Sequence, residues 1–247
     1  MLTKEQLYKI AKEQSALELG CTAQDFDHGG IFESVTHPKA RKYLKLPFDF
    51  QLVYYGGKAV ISAKRELHAI ATDYLEKYPD YRGFQTPALN ELSDALRPYG
   101  LAPRHMAEYF LPDPARIPDI PCPFETRILT QADFKDLYLP EWSNALCADR
   151  AHLDVLGVGA YDNGRLIGLA ACSADGDEMW QIGIDVLPDY RRQGIASALT
   201  ARLAKEILAR DKVPFYCAAW SNITSAGNAI KCGFRPAWVE LTAKPIE

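Results

Sequence analysis

The 247-residue chain has six cysteines and none of the patterns that put cysteine to work. Cys21, Cys122, Cys147, Cys172, Cys217 and Cys232 are widely scattered, with no CxxC pair and no histidine at metal-ligand spacing, which excludes a zinc ribbon or a thioredoxin-like redox motif. Buried free thiols in a reducing cytosol are the expectation, with no metal. Positive charge is also short: 28 basic against 32 acidic residues leave a formal net charge of −4. That removes the basic footprint of a nucleic-acid binder and mildly favours a cationic small molecule as a ligand. No apolar run approaches the roughly 18 residues of a membrane span. The opening MLTKEQLYKIAKEQ intersperses charge at helical spacing where a secretory leader needs an unbroken apolar core. A soluble, cytoplasmic protein with no membrane partner is expected. Finally, no GxGxxG follows a strand, which speaks against generic dinucleotide binding.

What is present divides into two patterned halves. Pro112, Pro114, Pro118, Pro121 and Pro123 crowd into LPDPARIPDIPCP, where neither a helix nor a central strand can run through. This segment predicts a linker between a domain at 1–119 and a second at 120–247. Before it, helical spacing covers Leu2 to about Leu17, and QLVYYGGKAVISA predicts a hairpin turning at Gly56 and Gly57. Leu67, Ile70, Ala71, Tyr74, Leu75 and Tyr78 mark one buried helix face. A further helix is predicted from Thr86 and Pro87 to a stop at Gly100, then a strand over RHMAEYF.

After the linker the predicted order is β, α, β, β, β, α, β, α, β. FETRIL is a short strand, and helical turns follow, broken at Pro140. VLGVGAYD and RLIGLAACSA flank Asn163 and Gly164, the dipeptide that favours a two-residue turn. MWQIGIDV alternates so that Ile182, Ile184 and Val186 share a face. Ile195, Leu199, Leu203 and Ile207 form one helical row. PFYCAAW, the helix SNITSAGNAIKCG and the strand FRPAWVELTA complete an α+β fold with a mixed sheet.

The most informative stretch is VLPDYRRQGIASAL, residues 186–199, where a strand hands over to a helix. The start of a helix presents amides without intrahelical partners, and the helix dipole adds positive potential there. Gly194 lets a ligand approach the backbone, and Arg191 and Arg192 can add charge-assisted bonds to phosphate oxygens. The chemistry that suits this turn best is a diphosphate; a solvated turn with surface arginines is the competing reading.

In its order of elements and in Arg191, Gly194, Ala196, Asn222, Ser225, Lys231, Gly233 and Phe234, the chain from Phe124 to Lys244 resembles the GNAT superfamily of acyl-CoA-dependent N-acyltransferases. The most specific portion runs from Gln181 to Phe234. The resemblance implies a GNAT fold in this half, beside a smaller α+β domain that is an accessory to it or a degenerate relative. It further implies that Arg191, Arg192, Gln193, Gly194, Ile195 and Ala196 wrap the pyrophosphate of acetyl-CoA. The backbone at Ile184 and Val186 would pair with the pantetheine arm, and Asn222 and Ser225 would meet the arm from the other side. The strands MWQIGIDV and PFYCAAW would splay apart to receive it. Asn222 also suits a helix cap, Gly233 a left-handed stop, and Phe234 and Trp238 the core.

Two positions depart from the family. Where many members place a glutamate to accept the amine proton, this chain has Trp180; where they place a tyrosine on the last helix, it has Ala229. A lysine-like amine must lose its proton before attack, at a cost of about 4.6 kcal/mol at neutral pH. Glu178 and Asp185 are the candidate bases, each with a plainer alternative as a solvated surface group. His152 reads as a surface residue and Tyr190 as a packing one. The expected function is acetyl transfer from acetyl-CoA to a primary amine of a small molecule or protein, without a metal. A homodimer is compatible with it, and a non-catalytic acyl-CoA-binding or regulatory protein is the alternative.

Overall fold

The computed structural model describes residues 2–246. In chain order its main elements are α1 (Lys4–Leu19), α2 (Asp25–His28), β1 (Gly30–Glu33), β2 (Phe50–Tyr54), β3 (Ala59–Ala63), α3 (His68–Lys77), α4 (Thr86–Leu96), β4 (Leu101–Pro112), β5 (Glu125–Thr130), β6 (Asp154–Asp162), β7 (Arg165–Ser173), β8 (Met179–Val186), α5 (Ile195–Leu208), β9 (Val213–Ala219), α6 (Ile223–Lys231) and β10 (Phe234–Pro245). They form a mixed α+β structure that divides into two compact units. One comprises Tyr8–Tyr109 with Ala237–Glu247, the other Met1–Leu7 with Phe110–Pro236. The proline-rich segment suggests a boundary at 119/120. The contacts instead separate the units at 109/110, and the end of β10 returns to the N-terminal one.

In the Tyr8–Tyr109 unit the strands lie in the order β1-β3-β2-β10-β4. The β2–β3 hairpin turns at Gly56, whose φ of 93° suits glycine. β10 joins it antiparallel, from Val239 opposite Tyr54 to Ala243 opposite Phe50. Every residue of β3 is buried; Ala59, Ile61 and Ala63 lie on the face covered by Ala71 and Tyr74 of α3, Ala88, Leu92 and Leu96 of α4, and Leu67 just before α3. Each large side chain buried in this way contributes about 1.5–3 kcal/mol. The strand β1 was not apparent from the sequence, since the four residues GIFE are too few to reveal a period.

The same unit buries an ionic cluster. The Arg41 guanidinium donates to Glu18 through Nε at 3.0 Å and through Nη2 at 2.7 Å, and to Glu240 Oε1 at 2.6 Å. All three side chains are almost fully buried, and Arg41 Nη1 also donates to Tyr43 Oη at 2.8 Å. Glu240 accepts a further bond from Trp238 Nε1 at 2.7 Å, and Trp238 stacks between Tyr55 and Tyr109. Trp238 is thus a core residue. The two flanking carboxylates hold the Arg41 charge well above the ordinary arginine range, outweighing the opposing effect of burial. Arg41 sits in the long irregular segment between β1 and β2, so the cluster ties that segment to α1 and β10.

In the other unit the strands lie in the order β9-β8-β7-β6-β5. Asn163 and Gly164 have φ of 46° and 82°, the left-handed pair that the β6–β7 hairpin turn requires. Gly194 begins α5, which buries Ile195, Leu199, Leu203 and Ile207 against the sheet. Gly233 stops α6 with φ 88°, and a Cβ there would lie 2.8 Å from Arg116 O. Phe234 is fully buried. Between β5 and β6 the helical turns are short 3-10 segments, and Pro140 opens one of them instead of breaking a helix. The proline-rich segment is more ordered than a linker: β4 continues to Pro112, and Leu111 and Ile117 are buried.

Cys172 and Cys232 are buried and the other four thiols half-buried, all of them free. Burial pushes the thiols of Cys21 and Cys232 up to about 12, which keeps them protonated and unreactive. Among the described residues no helix is long and apolar enough to cross a membrane, and no group of side chains could hold a metal ion.

Candidate functional site

The strands β8 and β9 run side by side only briefly. They pair in parallel at Met179–Val213, Trp180–Pro214 and Gln181–Phe215, although β8 continues to Val186 and β9 to Ala219. Beyond Gln181 the two strands part. On its other side β8 stays paired with β7 along its length, from Ser173–Gln181 to Gly168–Val186. Leu187 N–H donates to Ile167 O at 3.0 Å. In an antiparallel ladder this sets the alternation: residues 181, 183 and 185 turn their backbone groups toward β7, while the even residues turn theirs the other way, Ile182 into the last rung with Phe215 of β9 and Ile184 and Val186 to the open edge. Five residues of strand, about 17 Å at roughly 3.3 Å each, separate the last paired residue from the end of that edge.

At the end of the edge the chain enters a 3-10 turn, Pro188–Tyr190, and then the Arg191–Gly194 turn. Arg192 and Gly194 both have positive φ, 62° and 83°. Left-handed residues of this kind fold successive amides into a concave nest that attracts anions. The first backbone bond of α5 is Ala198 N–H to Gly194 O at 3.0 Å. No side chain caps the helix, and among the described residues the amides of 192–197 donate to no protein acceptor. A Cβ on Gly194 would meet nothing within 4 Å, so the cradle opens outward. Arg191 Nε donates to Val186 O at 3.0 Å, which fixes the arginine at the head of the turn. Tyr190 donates to Asp162 Oδ2 at 2.9 Å and packs edge-on against Phe124, a structural role.

After β9 the chain forms α6, which packs against β9 and α5. Asn222 caps this helix, its Oδ1 accepting from Ser225 N–H at 3.1 Å. Ser225 Oγ lies 2.9 Å from Tyr216 Oη, whose phenol is pushed up by burial and stays protonated. Asn228 then links α6 to α5, accepting from Ser197 Oγ and donating to Thr200 Oγ1.

The two candidate carboxylates are held apart. Glu178 precedes β8, at the end where β8 and β9 are still paired; its carboxylate is 3.4 Å from Lys212 Nζ and exposed. Asp185 lies within the parted length. It accepts from Asn144 N–H at 2.9 Å, Asn144 Nδ2 at 2.7 Å and Ala145 N–H at 2.9 Å. Those three bonds hold the 144–145 segment against β8 so closely that a Cβ on Gly183 would fall 1.9 Å from Asn144 O. Trp142, Ala145 and Leu146 of this segment pack with Phe134, Leu169 and Ala171. Replacing Asp185 with alanine is expected to remove the charged acceptor of both amides, at about 1–3 kcal/mol, and to speed hydrogen exchange at Asn144 and Ala145 selectively. Unchanged protection at both amides would refute the anchoring role. His152 is exposed.

The parted strands and the amide nest lie within the stretch matched by a family model, Acetyltransferase (GNAT) family, which covers residues 121–234. Residues 121–234 are a GNAT acetyltransferase-family domain. Several solved structures are similar to part of the chain at low identity. A GNAT-family protein from Novosphingobium aromaticivorans is 19% identical over 58% of this chain and 66% of its own, just under two thirds, with TM-score 0.44. A GCN5-related N-acetyltransferase-like protein from Streptococcus suis is 21% identical over 64% and 68%, with TM-score 0.48. A GCN5-related N-acetyltransferase from Kribbella flavida is 13% identical over 73% and 74%, with TM-score 0.49. None of the curated proteins compared with the chain matches it.

The residues of the GNAT domain fit a diphosphate-bearing thioester on the chemistry of the donors present. The nest supplies neutral amide donors, Arg191 and Arg192 flank it, and the glycine at its centre leaves the approach clear. Gln181, which the sequence did not single out, marks the point where the strands part: its Nε2 lies 3.1 Å from Cys217 Sγ on β9. Only the register of β8 on β9 reveals that position, and periodicity in a single strand carries no such signal.

Proposed function

We propose that the GNAT domain transfers an acetyl group from acetyl-CoA to a primary amine of a small molecule or protein. The observation that supports this most directly is the parting of β8 and β9 after Gln181, with the amide nest at the end of the open edge. In this reading the pyrophosphate rests on the amides of Arg192 to Ala196, with Arg191, Arg192 and Gln193 around it. The pantetheine arm runs back along the edge groups of Val186 and Ile184, adding a strand where β9 has left. Asn222 and Ser225 face it from α6. Bound acetyl-CoA supplies the activated acyl carbon. The chain's own groups orient it: beyond the last rung with β9, the edge amides of Ile184 and Val186 are the donors open to it.

The amine must be neutral to attack. Asp185 and Glu178 are the carboxylates proposed to take its proton, Asp185 from within the parted length and Glu178 from the paired end, through water. Asp185 would do so while holding the 144–145 segment. A cationic acceptor is favoured slightly by the net charge of −4. The protein is proposed to work in the cytoplasm, apart from nucleic acid and membranes.

Thiol release from acetyl-CoA with a panel of amines (spermidine, L-lysine, glucosamine and a peptide with a free α-amine) tests the reading. CoA at 100 times its dissociation constant should stabilise the protein by about 2.7 kcal/mol, which raises the thermal midpoint by roughly 5–11 °C. No shift at millimolar CoA would overturn the coenzyme site. A shift without thiol release from any amine would favour a non-catalytic acyl-CoA-binding role.

A further inference from the structure

On the sheet face that carries the 144–145 segment, one row of side chains departs from the apolar pattern. Leu169 and Ala171 on β7 belong to the apolar cluster beneath that segment. At the next position on the same face, Ser173 stands directly opposite Asp154 of β6 and Gln181 of β8. A bulge between Asp154 and Leu156 turns Asp154 onto this face, where its Oδ2 accepts from Cys147 N–H at 3.0 Å. The row Asp154, Ser173, Gln181 therefore crosses three strands and ends where β8 and β9 part.

Two details of this row have no structural explanation. Ser173 is 8% exposed, and among the described residues its Oγ has no hydrogen-bond partner, an arrangement that costs stability with no return in packing. Gln181 is half-buried, and among the described residues its side chain makes one hydrogen bond, from Nε2 to Cys217 Sγ, which leaves Oε1 as an unused acceptor. A sulfur acceptor is a weak partner for a glutamine in mid-sheet, where an apolar side chain would pack better.

We propose that Gln181 is an acceptor-orienting residue of the acyl-transfer site. Its Oε1 accepts a hydrogen bond from the N–H of the attacking amine at the fork, and Ser173, one cross-strand spacing away at about 5 Å between Cβ atoms, offers its unpartnered hydroxyl to the same amine. This inference rests on the acyl-transfer reading above. It places the amine on the side of β8 opposite α5, beside the point where the open edge begins. It also sets the acceptor class: the group bound must still carry an N–H when it attacks, which a primary or secondary amine does and a tertiary amine does not.

The test uses the full chain and whichever panel amine the wild-type protein acetylates fastest. Gln181→Met keeps length and volume but removes the acceptor, and should lower kcat/KM for the amine by about 10- to 100-fold, with CoA affinity within twofold of wild type. Gln181→Glu keeps an acceptor oxygen and should recover most of that loss. Ser173→Ala removes a buried hydroxyl that has no partner, so its thermal midpoint should hold or rise while kcat/KM for the amine falls by roughly threefold to tenfold. A Gln181→Met protein within twofold of wild type, equal losses in Q181M and Q181E, or a parallel loss of CoA affinity would overturn the assignment. Failure of the wild-type protein to release thiol with any amine would instead overturn the acyl-transfer reading, and this inference with it.

Discussion

Replacing Gly194 with leucine is expected to weaken CoA binding by at least about 100-fold while the protein stays folded. The backbone at Gly194 has φ 83°, which costs an L-residue roughly 1–2 kcal/mol, and a change of that size lowers the thermal midpoint by about 2–8 °C. The larger effect falls on the ligand. A Cβ here meets no protein atom within 4 Å, so the leucine side chain projects into the open mouth of the amide nest, where a diphosphate has to sit. Calorimetric titration with CoA reads both consequences, since the folded fraction comes from the same sample. Affinity within threefold of wild type would show that the nest is not the phosphate site.

The second large effect belongs to the other unit. Arg41→Met removes the only cation between two carboxylates that are themselves buried, and should destabilise that unit by about 3–5 kcal/mol. Breaking one partner of a buried ion pair is costly because the remaining charge keeps its desolvation penalty without its compensation. The interaction should therefore be strongly non-additive. Adding Glu18→Gln and Glu240→Gln to Arg41→Met should recover a substantial part of the loss, although each change removes further hydrogen bonds. Urea unfolding of the single and triple variants measures the difference. A triple variant less stable than Arg41→Met alone would mean that the carboxylates contribute through their bonds to Gln14, Trp238 and the Arg41 backbone, and not through charge.

Both predictions rest on features that differ in how far one sequence exposes them. The nest was visible in VLPDYRRQGIASAL because each requirement is local: a strand end, two arginines, a glycine free to adopt positive φ, and an apolar row that starts a helix at once. The hairpin at Asn163 and Gly164, the buried row of α5 and the left-handed stop at Gly233 were visible for the same reason. The Arg41 cluster was not. Its members are spread across positions 18, 41 and 240, and no spacing rule links an exposed-looking arginine in a loop to glutamates so far away. Gln181 and Ser173 were hidden by another cause: their significance comes from standing opposite one another on neighbouring strands, and register is a property of the pair.

Asp185 illustrates the boundary between the two kinds of knowledge. In sequence it is one acid in an apolar strand, and chemistry alone nominates it as a base. In the fold its oxygens receive three donors from a segment some forty residues away, so any part it plays in proton transfer has to coexist with holding that segment. The proline-rich stretch shows the converse. Proline content identified correctly where regular helix and central strand must stop, yet the chain there keeps Leu111 and Ile117 in contact with a core.

By itself the sequence determined the strands of the GNAT domain, the helices α5 and α6 and the turn between β8 and α5, and it pointed to a diphosphate at that turn, because periodicity, turn chemistry and helix-start electrostatics act over a few residues. Only the tertiary structure decided where β8 leaves β9, which side chains meet at that fork, and that the end of β10 serves the N-terminal unit. These depend on which strands become neighbours, and that choice is made by burial summed over the whole sheet, not by any one segment.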